Sequence, residues 1–278
     1  MAKKPIVAIL YDFDSTLSKS DMQNFSFIPS LGMTPAEFWE ATTKFSEESG
    51  CERTLAYMYM MVKLANEKGV KMDKASLKKM GESIEFFPGV ETWFQRINDY
   101  GKENGLKVEH YIISSGNKEI VEGCKIAKEF KKIYGCEFLF DNNGNPIWPK
   151  LAINYTQKTQ YFFRISKGAT EITDDQGVNA KTPEKRIPYS NIIYIGDGMT
   201  DIPTMILVKN NGGKSIAVYK EGKEDVVEEI YHDGRVNYAC PANYKENGKM
   251  EKIMKLILQG ISINESLKKN ENQNPLVD

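Results

Sequence analysis

Continuous apolar runs and stretches of helical period alternate along this chain. Ile6-Val7-Ala8-Ile9-Leu10 and Ile192-Ile193-Tyr194-Ile195 are unbroken apolar runs bounded by turn-forming residues, a pattern that suits strands buried on both faces of a sheet. After the first run the pattern turns helical, from about residue 18 to 86. Thr34-Pro35-Ala36-Glu37 reads as a capped helix start with proline in its first turn. Over 54–68, Leu55, Met58, Tyr59, Met61, Val62 and Ala65 recur at helical spacing and predict one apolar face, read as core. A shorter helix is expected at 74–84, and Phe87-Pro88-Gly89-Val90 marks the return to an alternating strand and helix order. An interruption of about 65–70 residues is too long for a structureless loop. Residues 18–86 are therefore expected to form a helical cap domain, inserted into a core domain made of 1–17 and 87–265.

The rest of the pattern predicts a helix at 90–104, a strand at 108–113 ended by Ser114-Ser115-Gly116-Asn117, and a helix at 118–134. A hairpin of 137–140 and 146–148 is expected around Asn143-Gly144, then a helix at 156–166. The polar span 168–190 reads as an extended loop. Helix, strand and helix follow at 201–209, 215–219 and 223–231, then a strand at 236–240 and an amphipathic helix at 250–259. The polar tail 266–278 reads as disordered. The predicted fold class is α/β, with a doubly wound, Rossmann-like parallel sheet core and an inserted helical cap domain.

Composition refines this picture mainly by exclusion. The 278 residues carry 37 Lys and Arg against 38 Asp and Glu, and a net charge of −1 gives no electrostatic case for nucleic acid or an acidic membrane surface. No apolar stretch approaches the roughly 18–20 residues that cross a bilayer. Met1-Ala2-Lys3-Lys4-Pro5 runs straight into the first strand, not into a signal-peptide core, so a cytoplasmic protein is expected. Cys51, Cys124, Cys136 and Cys240 are scattered without a Cys-x-x-Cys pair and read as reduced, largely buried thiols. His110 and His232 are the two histidines, which makes a Ser-His-Asp hydrolase or a histidine-rich metal site hard to build. Both read as structural, and carboxylates are left to carry the chemistry.

Two phrases supply those carboxylates. Tyr11-Asp12-Phe13-Asp14-Ser15-Thr16-Leu17 follows the first apolar run and Gly196-Asp197-Gly198-Met199-Thr200-Asp201 follows the second. Ligands in open α/β sheets bind beyond the carboxyl ends of the strands, so Asp12, Asp14, Asp197 and Asp201 are expected at one edge. Carboxylates converging in a partly dry cleft repel one another, and the usual remedy is a hard divalent cation such as Mg²⁺. Turn formation and helix capping account for either phrase alone. Both together, each after a buried strand, point to a magnesium site for phosphate chemistry.

In combination the motifs resemble the haloacid dehalogenase (HAD) superfamily, specifically its phosphoserine-phosphatase-like branch, over about residues 5–205. The resemblance implies a Mg²⁺-dependent phosphomonoester hydrolase acting on a small phosphorylated metabolite through an aspartyl-phosphate intermediate. It implies Asp12 as nucleophile and Asp14 as general acid and base. It also implies Mg²⁺ held by the Asp12 carboxylate, the Asp14 backbone carbonyl and Asp197, with Asp201 as partner of a metal-bound water or a lysine. Thr16, which completes the first motif, is expected with Ser114, Ser115 and Gly116 to bind the substrate phosphate, as is the lysine of the family's third motif. The lysine of the family's third motif has five upstream candidates, Lys150, Lys158, Lys167, Lys181 and Lys185. Lys158, heading a helical run, fits the family habit best, although 168–190 lengthens its separation from Asp197.

The family's helical cap usually closes over small molecules, and Glu37, Arg53 and Tyr57 are candidate cap contacts. Asp14 argues against a dehalogenase, and the absence of a long apolar stretch argues against an ion pump. A phosphotransferase or phosphomutase of the same fold competes with the hydrolase reading. So does a non-catalytic binding protein, against which the complete acid set counts.

Overall fold

The computed structural model describes residues 4–181 and 185–271. Seven strands make one sheet: β1 Ile6–Tyr11, β2 Lys107–Asn117, β3 Lys132–Phe140, β4 Pro146–Leu151, β5 Ile192–Gly196, β6 Lys214–Tyr219 and β7 Tyr238–Pro241. Their spatial order is β4-β3-β2-β1-β5-β6-β7, all parallel except the β3–β4 hairpin. β1 and β5 are buried at every position, as unbroken apolar runs in a doubly covered sheet should be. The strand order reverses at β1, with β2 and β3 wound to one side and β5 to β7 to the other. That reversal opens a crevice beyond the carboxyl ends of the central strands.

Helices α1 Phe27–Ser30, α2 Pro35–Ser49, α3 Arg53–Lys68 and α4 Lys74–Met80 form the insertion after β1, and α5 Val90–Glu103 leads from it into β2. The remaining helices are α6 Lys118–Glu122, α7 Tyr155–Lys167, α8 Asp175–Asn179, α9 Ile202–Asn210, α10 Asp225–His232 and α11 Lys249–Glu271. The fold is thus a doubly wound α/β core carrying an inserted helical cap. Chain leaves and re-enters the core side by side: Ser18 and Phe86 form an antiparallel bridge, and the Lys19 and Phe87 amides donate to the Glu85 and Leu17 carbonyls at 2.9 Å each. Among the described residues no helix is long and apolar enough to cross a membrane.

The insertion obeys the sequence signals with one rotation. Thr34 and Glu37 form a reciprocal capping box at the start of α2, which commits the Glu37 carboxylate to its own helix end and removes it from the cleft contacts. On α3, Met58, Met61 and Ala65 are buried as expected, but Leu55 and Tyr59 are exposed and Tyr57 and Met60 are inside. The buried face is shifted because α3 packs both on α2 and on the core, where Tyr57 Oη donates to the Ser115 carbonyl at 2.7 Å.

Two expectations are corrected. The helix expected at 118–134 stops at Glu122, and Tyr134 belongs to β3. A Cβ on Gly123 would stand 1.7 Å from the Lys78 carbonyl oxygen, so α4 crowds against the end of α6 there and the chain turns away. The apolar run from Ile133 onward then pairs with β2. At the other end, α11 runs well past residue 259 because Ile257, Leu258 and Ile261 continue its buried face and Ser262 Oγ donates to the Asn104 carbonyl. Residues 266–271 are its last turns, not a disordered tail, and 272–278 lie outside the described residues. In the span 168–190 the described residues, 168–181 and 185–190, include the short α8. Cys124, Cys136 and Cys240 are buried free thiols and Cys51 is half-buried.

Candidate active site

Beyond the last residue of β1 the chain folds back tightly on itself. The amides of Thr16, Leu17 and Ser18 all point to the Phe13 carbonyl, and Ser15 takes a left-handed conformation (φ 55°). For a residue with a Cβ that conformation costs on the order of 1–3 kcal/mol. The turn is held from the far end of the sequence, since buried Tyr244 Oη donates to the Thr16 carbonyl at 2.9 Å. Thr16 Oγ1 in turn donates to Asp197 Oδ1 at 3.1 Å, joining the loops after β1 and β5.

Asp12, Asp197 and Asp201 each bring a carboxylate oxygen within 4.8 Å of the others. Lys158, fully buried at the head of α7, places Nζ 2.9 Å from Asp12 Oδ1 and 2.7 Å from Asp201 Oδ1. Asp201 is saturated. Besides Lys158, its Oδ1 accepts from Tyr194 Oη at 2.6 Å and its Oδ2 from the Gly198 amide at 3.2 Å. Gly196 makes room for it, because a Cβ there would lie 2.5 Å from Asp201 Oδ2.

The electrostatics follow from burial. Desolvation, followed by the negative charge of Asp201, pushes Asp12 up to about 6, against the opposing pull of Lys158. Burial also raises Asp197 well above the usual carboxylate range, with Asp12 and Asp201 adding to the shift. For Lys158, burial alone disfavours the charged form, but Asp12 and Asp201 outweigh it and hold the ammonium above its ordinary value.

The Asp14 carboxylate faces elsewhere. Its Oδ1 accepts from the Met22 amide at 2.8 Å, and burial, Asp21 and Asp12 raise it well above the ordinary value. It closes on β2 across Gly116, where a Cβ would stand 2.8 Å from Asp14 Oδ2 and 2.1 Å from Met22 Cε. Residues 114–117 continue β2 through a register irregularity instead of leaving it at Ile113. Ser114 Oγ accepts from the Gly116 amide at 2.9 Å, which leaves its own proton free to donate.

These groups line one cleft of about 400 Å³, walled on the far side by the insertion. Asp12, Asp14, Ser114, Ser115, Gly116, Lys158 and Asp197 all face it, as do the cap residues Arg53 and Tyr57. Lys150, Lys167, Lys181 and Lys185 do not line it. Thr16 and Asp201 stand behind it as supports. Sequence reasoning missed Tyr194, Tyr244 and the insertion residues Asp21, Gln23, Trp39 and Thr42. Tyr194 carried a usable signal, since a tyrosine in a strand buried on both faces must find a partner for its hydroxyl. His110 is buried and bonded to Tyr11 Oη and Asn98 Oδ1, and His232 is exposed, so neither joins the cleft.

No family model matches the chain. An uncharacterized protein of Borreliella burgdorferi is 27% identical over 283 residues, spanning 90% of this chain and 98% of its own. Among solved structures, a HAD family hydrolase of Salmonella enterica serovar Typhi superposes with a TM-score of 0.57 at 18% identity, over 85% of this chain and 68% of that one. A probable phosphoserine phosphatase of Vibrio cholerae gives 0.59 at 14% identity, over 94% and 67%. A substrate-bound phosphoserine phosphatase gives 0.54 at 16% identity, over 91% and 99%. The chain therefore has the HAD fold, in the form seen in phosphoserine phosphatases.

Proposed function

We propose that this protein is a Mg²⁺-dependent phosphomonoester hydrolase that works through an aspartyl-phosphate on Asp12. The observation that carries the reading is the charge balance of the cleft. Three clustered carboxylates, Asp12, Asp197 and Asp201, meet one buried cation, Lys158. A surplus of buried negative charge with oxygen donors only is what a hard divalent ion neutralises. Asp201 is already engaged by three donors, so Asp12 and Asp197, with the Asp14 carbonyl, are the residues to hold Mg²⁺. When bound, the ion would supply positive charge to the phosphoryl oxygens.

The chain's own groups account for the rest. One Asp12 oxygen attacks phosphorus, the bond to the ester oxygen breaks, and that oxygen leaves with the electron pair and takes the proton of Asp14. Water then attacks the aspartyl-phosphate, gives its proton to Asp14, and phosphate departs as the bond to Asp12 breaks. The Lys158 ammonium and the Ser114 hydroxyl, whose proton is free, are the donors proposed for the phosphoryl oxygens. Residues 18–86 act as the cap that limits substrates to small molecules, and the same enclosure is the feature that would favour transfer to an acceptor other than water.

The test is phosphate release from a panel of phosphomonoesters, with Mg²⁺ and with EDTA, in wild type and Asp12→Asn. Metal-dependent release that the variant lacks is expected. Release that survives Asp12→Asn rejects the nucleophile, and release into an added alcohol acceptor instead of water identifies a phosphotransferase.

A further inference from the structure

The cap wall of the cleft contains two buried polar side chains with no partner. Gln23, in the helical turn Met22–Asn24, is 2% exposed, and its amide oxygen accepts no hydrogen bond. Thr42, on α2, is 5% exposed, and its hydroxyl is likewise unpaired. Both line the cleft that holds Asp12 and Lys158. Their positions are fixed by a neighbour that is fully engaged: Trp39, one turn before Thr42 on α2, donates its indole N–H to Asn24 Oδ1 at 2.9 Å.

An unpaired buried amide or hydroxyl costs stability, and folded proteins keep few of them. Neither group is needed to fill space as a polar residue, since Met is close to Gln in length and Val to Thr in shape. Charge is confined to the edges of this wall, where Arg53 is exposed and Asp21 is half-buried. The interior that meets the departing part of the substrate is neutral, and each of its two groups can both donate and accept. Alcohol hydroxyls have that same dual character.

We infer that Gln23 and Thr42 form the subsite for the leaving group, and that the substrate class is the phosphomonoester of a short polyhydroxy alcohol, a polyol or small sugar. This rests on the phosphatase reading above. A site built to bond hydroxyls discriminates strongly against an analogue lacking them, because its own buried groups then stay unpaired. Gln23 and Thr42 are specificity residues and touch no reacting atom.

The experiment compares glycerol phosphate, ethyl phosphate and phosphoserine with Mg²⁺, in wild type, Gln23→Met and Thr42→Val, together with the melting temperature of each protein. Wild type is expected to prefer glycerol phosphate. Each variant should lose about tenfold or more in kcat/KM on glycerol phosphate while changing less than about twofold on ethyl phosphate. Each variant should also melt about 1–4 °C higher, because an unsatisfied group has been removed. A fall in melting temperature, or equal losses on both esters, would assign these residues a structural role and overturn the inference. A wild-type preference for phosphoserine would move recognition to Arg53 and Asp21 and overturn it too. No release from any ester would reject the phosphatase reading itself, and the subsite with it.

Discussion

The two walls of the cleft differ in how their charged groups are held, although each carries buried hydroxyls without a partner, Ser115 on the core side and Thr42 on the insertion side. On the core side every charged group is spoken for before substrate arrives: Asp201 holds three donors, Lys158 bridges two carboxylates, and Thr16 is tied both to Asp197 and to Tyr244. On the insertion side Gln23 and Thr42 are buried and unpaired. Satisfied networks hold geometry to the tolerance that phosphoryl chemistry demands. Unsatisfied groups have hydrogen bonds in reserve for whatever enters. Under the proposed function, the contrast separates the part of the molecule that would perform the reaction from the part that would select the reactant.

Breaking the core side should have the largest effects. Asp12→Asn keeps shape and removes the proposed nucleophile, and a loss of about 10⁴-fold or more in kcat is expected in a phosphate-release assay. Asp14→Asn should cost about 10²–10⁴-fold on an alkyl ester and markedly less on p-nitrophenyl phosphate, whose phenolate leaves without a proton. Equal losses on the two esters would remove Asp14 from the acid role.

Lys158→Met sharpens the comparison through stability. It leaves Asp12 and Asp201 buried beside each other without a counter-charge, and breaking such a pair costs about 3–5 kcal/mol. Urea unfolding of the metal-free protein should show that loss, with added Mg²⁺ recovering part of it. Tyr244→Phe removes a single hydrogen bond to the Thr16 carbonyl, so about 1 kcal/mol of stability is expected to go, together with weaker Mg²⁺ dependence read from activity against metal concentration.

The smallest effect is a pH slope from a group outside the cleft lining. Burial pushes the His110 imidazole down to about 3. The folded protein keeps it neutral while the unfolded chain protonates it near 6.5, so the unfolded state binds more protons between those values and stability falls as pH drops through that window. Melting temperature measured from pH 7 to 4 should decline less steeply in His110→Gln than in wild type. Identical slopes would show that His110 does not carry this part of the acid sensitivity.

Much of this arrangement was legible because it sits at strand ends. The runs preceding Asp12 and Asp197 are too apolar to be anything but central strands, and the topology then brings their termini together. Lys158 was harder to fix, since nothing in a linear sequence says that α7 packs on α9 and brings its head to Asp12 and Asp201. The face of α3 was misread at Leu55 and Tyr59 because that helix is covered from two directions, and a single-stripe pattern cannot represent that. Residues 118–134 have helical spacing, but close packing at Gly123 and pairing with β2 override it. Gln23 and Thr42 left no trace at all in the pattern, because a buried polar residue looks the same in sequence as an exposed one.

The bridge between Ser18 and Phe86 has a consequence for how such a molecule diversifies. The two ends of the helical insertion are neighbours in space, hydrogen-bonded to each other where they leave the core. The segment between them can therefore be exchanged for another of different length without cutting β1 or β2, provided the replacement keeps the amide that Met22 gives Asp14 and the hydroxyl that Tyr57 gives the Ser115 carbonyl. Under the proposed function, a graft of 19–85 that keeps those two contacts should carry reactant preference with it, so that substrate range can be rewritten by cutting at one point of the fold.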